Sequence, residues 1–235
     1  MKIQGSVALV TGANRGLGAA FVRALLAGGA AKVYAAARNP ASIEQPGVIA
    51  VQLDVTQPHQ VAALAQQLGD VTLLVNNAAI FEPGPLLASG SIGTLQRQME
   101  TNALGPLRLV QAFAPVLAAN GGGAIINMLS VLSWLTLAGV SGAYSASKAS
   151  AWALSNALRQ ELKAQRTELL SVHAAFIDTD MARGVPGAKT SPEDVARLVV
   201  EALEAGLPEV LIDDTTRNVH AGLSANPAIY LGMGA

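Results

Sequence analysis

The stretch SVALVTGANRGLGAAFVRALLAGG, residues 6–29, joins a short apolar run to an alanine- and leucine-rich segment through a loop with three glycines. The run before the loop is almost continuously apolar, as in a strand buried on both faces, and the segment after it favours a helix. Gly12, Gly16 and Gly18 lie where a tight strand-to-helix turn needs them. Such a turn offers free N–H groups and the positive end of a helix dipole to a phosphate. The stretch therefore predicts a strand–loop–helix unit that binds the pyrophosphate of a dinucleotide.

The same alternation of short apolar runs with longer helical segments continues along the chain, as in successive βαβ units. Helices are predicted over about 17–27, 57–68, 91–119, 143–165 and 192–205. The predicted strands are SVALVTG (6–12), KVYAAAR (32–38), VIAVQLDV (48–55), TLLVNNA (72–78), GAIINMLS (123–130), LLSVHAAFI (169–177) and EVLID (209–213). We expect one domain, residues 1–235, with a Rossmann-type, doubly wound α/β fold: a seven-stranded parallel sheet with helices on both faces.

Composition narrows the classes of function. Hydrophobic residues make up 51% of the 235 residues and charged residues 13%, which suits a covered sheet and surface hidden between subunits. The formal net charge is −1 and basic residues are scattered, so we expect neither nucleic-acid nor anionic-membrane binding. The apolar part of the N-terminal segment is too short for a secretion signal, and the apolar stretch 128–140 is too short and too polar for a membrane span. The expected location is cytoplasmic.

Metal and nucleophile chemistry are disfavoured by the sequence. The chain has no cysteine, so disulfides and thiolate sites are excluded. His59, His173 and His220 are far apart in the sequence and form no metal-ligating motif. Ser130 lies in NMLSV, which is not the GxSxG elbow of a hydrolase. We therefore predict no metal site and no covalent nucleophile.

The cofactor preference is predicted from the residue that follows the second strand. Dinucleotide-binding folds that use NAD place an acidic residue about 20 residues after the glycine loop, where it binds the ribose hydroxyls. This chain has Arg38 there, and Arg15 lies inside the glycine loop. Two guanidinium groups can hold a 2′-phosphate through charge-assisted hydrogen bonds. We therefore expect NADP(H) as the preferred cofactor, with NAD(H) as a possible second.

The segment GAYSASKAS, residues 142–150, places a tyrosine four positions before a lysine. That spacing puts the two side chains on one face of a helix, one turn apart. A cation close to a phenol favours the phenolate and lowers the pKa of the phenol from about 10 towards the range useful in acid–base catalysis. Tyr144 and Lys148 are therefore candidates for a catalytic pair, the alternative being a half-buried tyrosine on a solvated helix.

In this order, TGxxxGxG, NNAA after the fourth strand, a serine ending the fifth strand and YxxxK in the next helix resemble the short-chain dehydrogenase/reductase family over nearly the whole chain. The resemblance implies that Tyr144 is the catalytic acid/base, that Lys148 lowers its pKa and binds the nicotinamide ribose, and that Ser130 polarises the substrate carbonyl. Asn102 is implied as the asparagine of the proton relay, connecting the phenol to solvent through water. The cofactor-binding set then contains Gly12, Asn14, Arg15, Gly16, Leu17, Gly18, Arg38, Asp54, Val55, Asn76, Asn77, Ala78, Tyr144, Lys148, Ile177 and Thr179.

The chain departs from the pattern of this family at a few positions near the expected nicotinamide. Ala79 stands where the family has glycine, and Ala174-Ala175 stand where a Pro-Gly pair is usual. An added β-carbon narrows the approach of a ligand and disfavours a positive φ, so we expect these positions to alter the backbone beside the cofactor. The spacing from the serine to Tyr144 is one residue longer than the commonest one, which leaves Ser133 as an alternative to Ser130.

The family places the substrate between the loops at about 80–90, 131–142 and 178–190. These loops contribute the predicted pocket residues Phe81, Leu132, Trp134, Leu137, Phe176 and Met181. They are apolar, and no basic residue follows Ser130 to bind an acidic group, so an uncharged, apolar ketone, aldehyde or secondary alcohol is the expected small-molecule substrate. The segment 91–119 and the helix after Tyr144 resemble the subunit interface of the family, which predicts a homodimer or homotetramer.

Together these features predict an NADP(H)-dependent carbonyl reductase or alcohol dehydrogenase. One alternative is an NAD-dependent enzyme of the same family. The other is a non-catalytic, NADP-sensing regulatory protein that kept the fold and lost turnover.

Overall fold

The computed structural model describes residues 1–232 as an α/β structure around one seven-stranded parallel sheet in the order β3-β2-β1-β4-β5-β6-β7. The strands are β1 (Val7–Thr11), β2 (Lys32–Ala37), β3 (Ile49–Gln52), β4 (Leu73–Asn76), β5 (Gly123–Met128), β6 (Thr167–His173) and β7 (Glu209–Leu211). All seven predicted strands are present, which confirms the predicted fold class. The strand order reverses between β1 and β4, and loops at the carboxyl ends of the strands diverge there to leave a crevice.

Helices cover both faces of the sheet. They are α1 (Gly16–Ala27), α2 (Pro58–Gln67), α3 (Ser91–Met99), α4 (Gly105–Ala119), α5 (Gly142–Glu161), α6 (Pro192–Glu204) and α7 (Asp214–Gly222). The helix predicted over 91–119 is divided by a π-helical turn, Glu100–Leu104, and the helix predicted over 143–165 ends in a 3-10 turn, Leu162–Gln165. Helix α7 was not predicted, because its sequence DTTRNVHAG is polar on most of its circumference. Asp213 caps it by accepting a hydrogen bond from the N–H of Thr216 at 2.8 Å.

Strand β1 shows how the sheet separates two cores. Ala8 and Val10 face the core beneath α1 and α6, whereas Leu9 faces the core beneath α2 and α4. This alternation follows from the two-residue period of a strand, and it requires apolar side chains at every position because both faces are covered. Phe21 on α1 and Phe113 on α4 are the largest fully buried side chains of the two cores. Each contributes about 1.5–3 kcal/mol through burial.

Candidate active site

The glycine loop between β1 and α1 has the conformation that its sequence predicts. Gly12 and Gly16 have φ angles of +64° and +51°, in the region that disfavours a β-carbon. Gly18 has no room for one, because a β-carbon there would lie 2.0 Å from the carbonyl oxygen of Gly12. The loop therefore turns tightly into α1 and presents the start of that helix to an open cleft of about 1100 Å³. Asn14, Arg15 and Leu17 line the cleft with the three glycines.

The segment after β4 holds this loop in place. The Nδ2 atom of Asn77 donates to the carbonyl of Thr11 at 2.9 Å, and the hydroxyl oxygen of Thr11 accepts from the N–H groups of Asn77 and Ala78 at 3.0 Å each. Asn77 and Ala78 line the cleft, as predicted. Asn76 does not: it is buried within the sheet and donates to Asn127 Oδ1 at 2.8 Å. Its side chain thus joins β4 to β5 and does not reach a cofactor, contrary to the sequence prediction.

The two arginines predicted to bind a phosphate both line the cleft. Arg38 is exposed after β2 and forms no ion pair with residues 1–232. Arg15 is 72% exposed and pairs with Asp180, its Nη1 lying 2.9 Å from Oδ2. Asp180 also pairs with Arg183. Asn39 and Ser42 line the cleft beside Arg38 and add polar groups that the sequence prediction missed, although the turn sequence RNPAS was visible.

Asp54 and Val55 lie at the adenine end of the cleft that the resemblance implies. The Oδ1 atom of Asp54 accepts from the N–H and the hydroxyl of Thr56 at 2.9 and 2.7 Å, which closes the turn before α2. Val55 is buried, and α4 begins against it at Gly105, where a β-carbon would lie 2.9 Å from Val55 Cγ2. Asp54 therefore shapes the turn as well as lining the cleft.

Ser130, Tyr144 and Lys148 meet at the centre of the cleft, from the end of β5 and the first turns of α5. All three are buried. The Ser130 side chain faces the Tyr144 phenol closely enough to affect its pKa, and its oxygen accepts a hydrogen bond from the N–H of Leu132 at 3.1 Å. The ammonium of Lys148 donates to the carbonyl of Met128 at 2.7 Å and lies 5.7 Å from the centre of the Tyr144 ring.

Burial dominates the titration of both groups. It raises the pKa of Tyr144 to about 12, against a smaller lowering by the hydrogen bond with Ser130. Burial also lowers the pKa of Lys148 to about 8. Lys148 is not among the groups that shift this pKa, so the lowering of the Tyr144 pKa by Lys148 stays a prediction. At neutral pH the phenol keeps its proton.

Asn102 lies in the π-helical turn, beneath the cleft wall. Its Oδ1 accepts from the N–H of Ile80 and its Nδ2 donates to the carbonyl of Ile80, each at 2.9 Å. Nδ2 also donates to the hydroxyl of Ser147 at 3.0 Å. Both amide hydrogens are thus in use, so the side chain fixes the segment after β4 and is not free to donate to a relay water, as the resemblance had implied.

The segment after β6 closes the other side of the cleft. Ile177 and Thr179 line it, and Ile177 forms an isolated bridge with Thr190. Thr179 packs on the glycine loop, since a β-carbon on Gly16 would lie 3.2 Å from Thr179 Cγ2. The alanine pair is compatible with this path, because Arg166 is the one non-glycine residue of 1–232 with a positive φ. The N–H of Ala175 donates to Asp213 Oδ2 at 2.8 Å, which a proline at 174 would not prevent.

Five of the six predicted pocket residues line the cleft: Phe81, Leu132, Leu137, Phe176 and Met181. Phe81 packs edge-on against Tyr144, with ring centres 5.1 Å apart. Trp134 is the exception: its ring stacks on His173 at 4.0 Å, behind β5 and β6, and is absent from the cleft wall. Val140 and Val185 add apolar surface that was not predicted, and Glu82 and Arg97 add a charged pair. The Nε and Nη2 atoms of Arg97 donate hydrogen bonds to the carboxylate of Glu82 at 3.1 and 2.6 Å.

Within residues 1–232 there is no group of three or more histidine, aspartate or glutamate side chains able to hold a metal ion. No helix in the described part of the chain is long and apolar enough to cross a membrane.

A parallel sheet with a glycine loop at its reversal point and a buried serine, tyrosine and lysine beside it defines a class of nucleotide-dependent oxidoreductases. The family model described as short chain dehydrogenase matches residues 6–189. The chain therefore belongs to the short-chain dehydrogenase family, as the motifs indicated, and is an oxidoreductase acting on alcohol or carbonyl groups.

Individual relatives agree with this assignment. The chain is 30% identical to a ketoacyl reductase, HetN, of Nostoc sp., covering 90% of this chain and 79% of that protein. It is 32% identical to a sorbitol dehydrogenase of Cereibacter sphaeroides, covering 84% of this chain and 80% of the relative. Among solved structures, a short chain dehydrogenase from Burkholderia cenocepacia in complex with NADP superposes with a TM-score of 0.94 at 39% identity, over the full length of both chains.

Proposed function

We propose that this protein reduces uncharged, apolar ketones or aldehydes with NADPH, and oxidises the matching secondary alcohols in reverse. The observation that carries the proposal is the meeting of Ser130, Tyr144 and Lys148 in one cleft with the glycine loop and an apolar wall. The similar Burkholderia structure holds NADP, which supports the cofactor assignment.

The residues of the cleft fit this cofactor. The glycine loop lines the cleft and offers N–H groups to a pyrophosphate, and Arg38 and Arg15 supply two guanidinium groups for a 2′-phosphate. Asp54 and Val55 would hold the adenine end, Asn77 and Ala78 the middle, and Ile177, Thr179 and Lys148 the nicotinamide end, where the bound cofactor supplies the hydride. NAD(H) would occupy the same cleft without the contacts to the phosphate.

The chemistry of this chain's own residues favours a proton donor at Tyr144. Negative charge grows on the carbonyl oxygen during reduction, and hydrogen bonds from Ser130 and Tyr144 would stabilise it. A phenol whose pKa is about 12 is protonated at neutral pH and can donate its proton to that oxygen. Lys148, anchored on the Met128 carbonyl, would hold positive charge beneath the phenolate that results.

The pocket wall explains the proposed class of substrate. Its exposed apolar side chains include Leu137, Phe176 and Met181. Its nearest arginine, Arg97, is neutralised by Glu82, so no unpaired cation at that position attracts a carboxylate. Apolar walls with few polar groups favour apolar, uncharged ligands.

The test follows NADPH and NADH absorbance in parallel with a panel of aryl alkyl ketones and of keto acids, for the wild type and Tyr144→Phe. The proposal expects faster turnover with NADPH, activity on the neutral ketones, and a loss of roughly 10²–10⁴-fold in the variant. Turnover of keto acids alone would overturn the substrate class. Binding of NADPH without turnover of any ketone or alcohol would favour the non-catalytic sensor.

The cofactor preference is tested separately with Arg38→Ala. Loss of one charge-assisted pair to the phosphate should weaken NADPH by roughly 10-fold or more and leave NADH unchanged. Arg23→Ala is the matched control, because this substitution makes the same change of net charge and Arg23 pairs with Glu193 outside the cleft. An unchanged preference in Arg38→Ala would support the NAD-dependent alternative.

A further inference from the structure

His173, the last residue of β6, is fully buried behind Ser130 and has no role in the chemistry described so far. Its Nδ1 lies 3.1 Å from the carbonyl oxygen of Ser130. Its Nε2 lies 3.1 Å from Glu209 Oε1 on the neighbouring strand β7. The ring is stacked at 4.0 Å on Trp134, which holds it in plane. A chain of contacts thus runs from a carboxylate at the sheet edge, through an imidazole, to the main chain of the candidate catalytic serine.

The two contacts of the ring differ in kind. The carbonyl oxygen of Ser130 can only accept, so the ring donates to it from Nδ1. Nε2 lies 3.1 Å from Glu209 Oε1 without forming an aligned hydrogen bond. Glu209 is able to act as the anion, because His173 lowers the pKa of its carboxyl group. The geometry therefore fits a histidine that donates from Nδ1 to Ser130 and faces a carboxylate through Nε2.

The charged surroundings are few and act on the carboxylate more than on the ring. Arg159 on α5 and His220 on α7 each favour the ionised form of Glu209. The guanidinium of Arg159 is held by Asn156, Ser171 and the carbonyls of Leu169 and Pro208. His220 approaches the ring of Trp134, with centres 5.1 Å apart. Glu209 is thus the anion nearest to the imidazole.

The contacts from Glu209 through His173 reach the active site at the Ser130 carbonyl. It accepts from His173 and, at 3.0 Å, from the N–H of Ser133. The next peptide is tied to β6 as well, since Val131 N–H donates to the carbonyl of Ala174 at 2.9 Å. These bonds hold the main chain that carries the Ser130 side chain into the cleft. A displacement of about 1 Å in such a donor can cost about 100-fold in rate.

We propose that His173, held between the Ser130 carbonyl and Glu209, is a positioning residue that aims the Ser130 hydroxyl at the substrate carbonyl. The proposal rests on the proposed function, because aiming is measured through turnover. It also predicts a property of the protein that can be measured without any substrate, so the two can fail separately.

Two substitutions separate positioning from packing. His173→Asn places an amide N–H near the position of Nδ1 and keeps the donor to Ser130, but leaves a gap under Trp134. His173→Gln places its amide near Nε2, keeps more of the volume, and loses the donor to Ser130.

Positioning predicts that His173→Gln loses roughly 10–100-fold in kcat with KM for NADPH unchanged, and that His173→Asn retains most of the rate. Equal losses, or a more active His173→Gln, would overturn the proposal, because a packing role favours the larger side chain. Thermal unfolding of both variants is measured alongside.

The part of the test that needs no activity uses the position of the Ser130 side chain. Crystal structures of the two variants show whether the Ser130 hydroxyl moves. Positioning predicts that His173→Asn keeps the Ser130 hydroxyl oxygen 3.1 Å from the main-chain nitrogen of Leu132, whereas His173→Gln lets it move by about 1 Å. A Ser130 hydroxyl that stays in place in His173→Gln would overturn the proposal even if the ketone assay shows no turnover at all.

Discussion

At position 18, the lack of space for a side chain is by itself enough to require glycine. Its φ is not in the left-handed region, yet no other residue fits, because the carbonyl of Gly12 occupies the place of a β-carbon. Gly12 and Gly16 are required for a different reason, since both have a positive φ. The three glycines of the loop thus have two distinct physical causes.

Gly18→Ala should therefore abolish cofactor binding or destabilise the fold, since a contact of 2.0 Å with main chain can be relieved only by moving α1 away from β1. The measurements are the Kd for NADPH from tryptophan or nicotinamide fluorescence, and the Tm. Gly69→Ala is the control, because no atom lies within 4 Å of the added carbon. A Gly18→Ala protein with normal Tm and normal NADPH affinity would contradict this account.

Lys148 carries a stability cost that its function would explain. Its pKa is lowered by burial from 10.5 to about 8, so keeping it charged at pH 7 costs about 3 kcal/mol relative to the unfolded chain. Because the pKa of this lysine is lower in the folded than in the unfolded state, the full cost is present below about pH 8. The cost disappears as the pH rises from about 8 towards the unfolded pKa of 10.5.

Lys148→Met should consequently abolish turnover and raise the Tm of the protein at pH 7. The gain in Tm should shrink as the pH rises from about 8 towards 10.5, because over this range the wild-type lysine is already neutral in the folded state, while it becomes neutral in the unfolded chain only near 10.5. Calorimetry of both proteins at three pH values tests this. The lost hydrogen bond to Met128 works against the gain, so Lys148→Gln, which can keep that bond, serves as a second variant. A lower Tm for both variants at pH 7 would show that the lysine stabilises the fold.

At the scale of elements, the ion pair between Arg15 and Asp180 joins the glycine loop to the 3-10 turn Asp180–Ala182 after β6. Both partners are largely exposed, so the pair contributes about 0.2–1 kcal/mol. Under the proposed function, Asp180 competes with the 2′-phosphate of NADPH for the guanidinium of Arg15. We therefore expect the turn after β6 to lower the affinity of the glycine loop for NADPH.

Asp180→Asn should lower the KM for NADPH by roughly 2- to 5-fold and leave that for NADH unchanged, since only NADPH brings the phosphate. The effect should fade in high salt. Glu193→Gln is the control, because it removes a carboxylate from Arg23 outside the cleft. A parallel change for both cofactors would show that the turn acts on the nicotinamide end instead.

The strands could be predicted from the sequence, whereas the positions of some side chains at their ends could not. The seven strands could be predicted because parallel strands buried on both faces are continuous apolar runs. Asn76 and Asn77 were treated alike, although Asn76 is the last residue of β4 and lies directly opposite Asn127 in the register of β5. A cross-strand pair of this kind can be recognised only when the order and register of the strands are known. Trp134 was misplaced because it follows the short turn Val131–Ser133, where no periodicity tells which way a side chain points.

For the whole molecule, the exposed side of α5 carries a row of small residues, Ala146, Ala149, Ala153 and Ala157, at helical spacing. Small side chains let a second helix approach closely, which supports the proposed homo-oligomer. Ala153→Arg should convert the assembly to monomers, as measured by light scattering at micromolar concentration. Ala62→Arg, on the exposed side of α2, is the matched control and should leave the mass unchanged. A wild-type monomer, or an unaltered mass in Ala153→Arg, would argue against this face.

The strand order also has a consequence for how the chain is made. Each strand after β1 joins an edge that earlier strands have already formed: β2 and β3 extend one side of β1, and β4 to β7 extend the other in sequence. A nascent chain leaving the ribosome can thus lay down its sheet in the order of synthesis, without holding a gap open for a later strand. The glycine loop has to wait longer, because Asn77, which anchors it, follows β4 directly. The first strand–loop–helix unit therefore gains its anchor only when roughly a third of the chain has been translated, and Thr179, which packs on the same loop, is made later still.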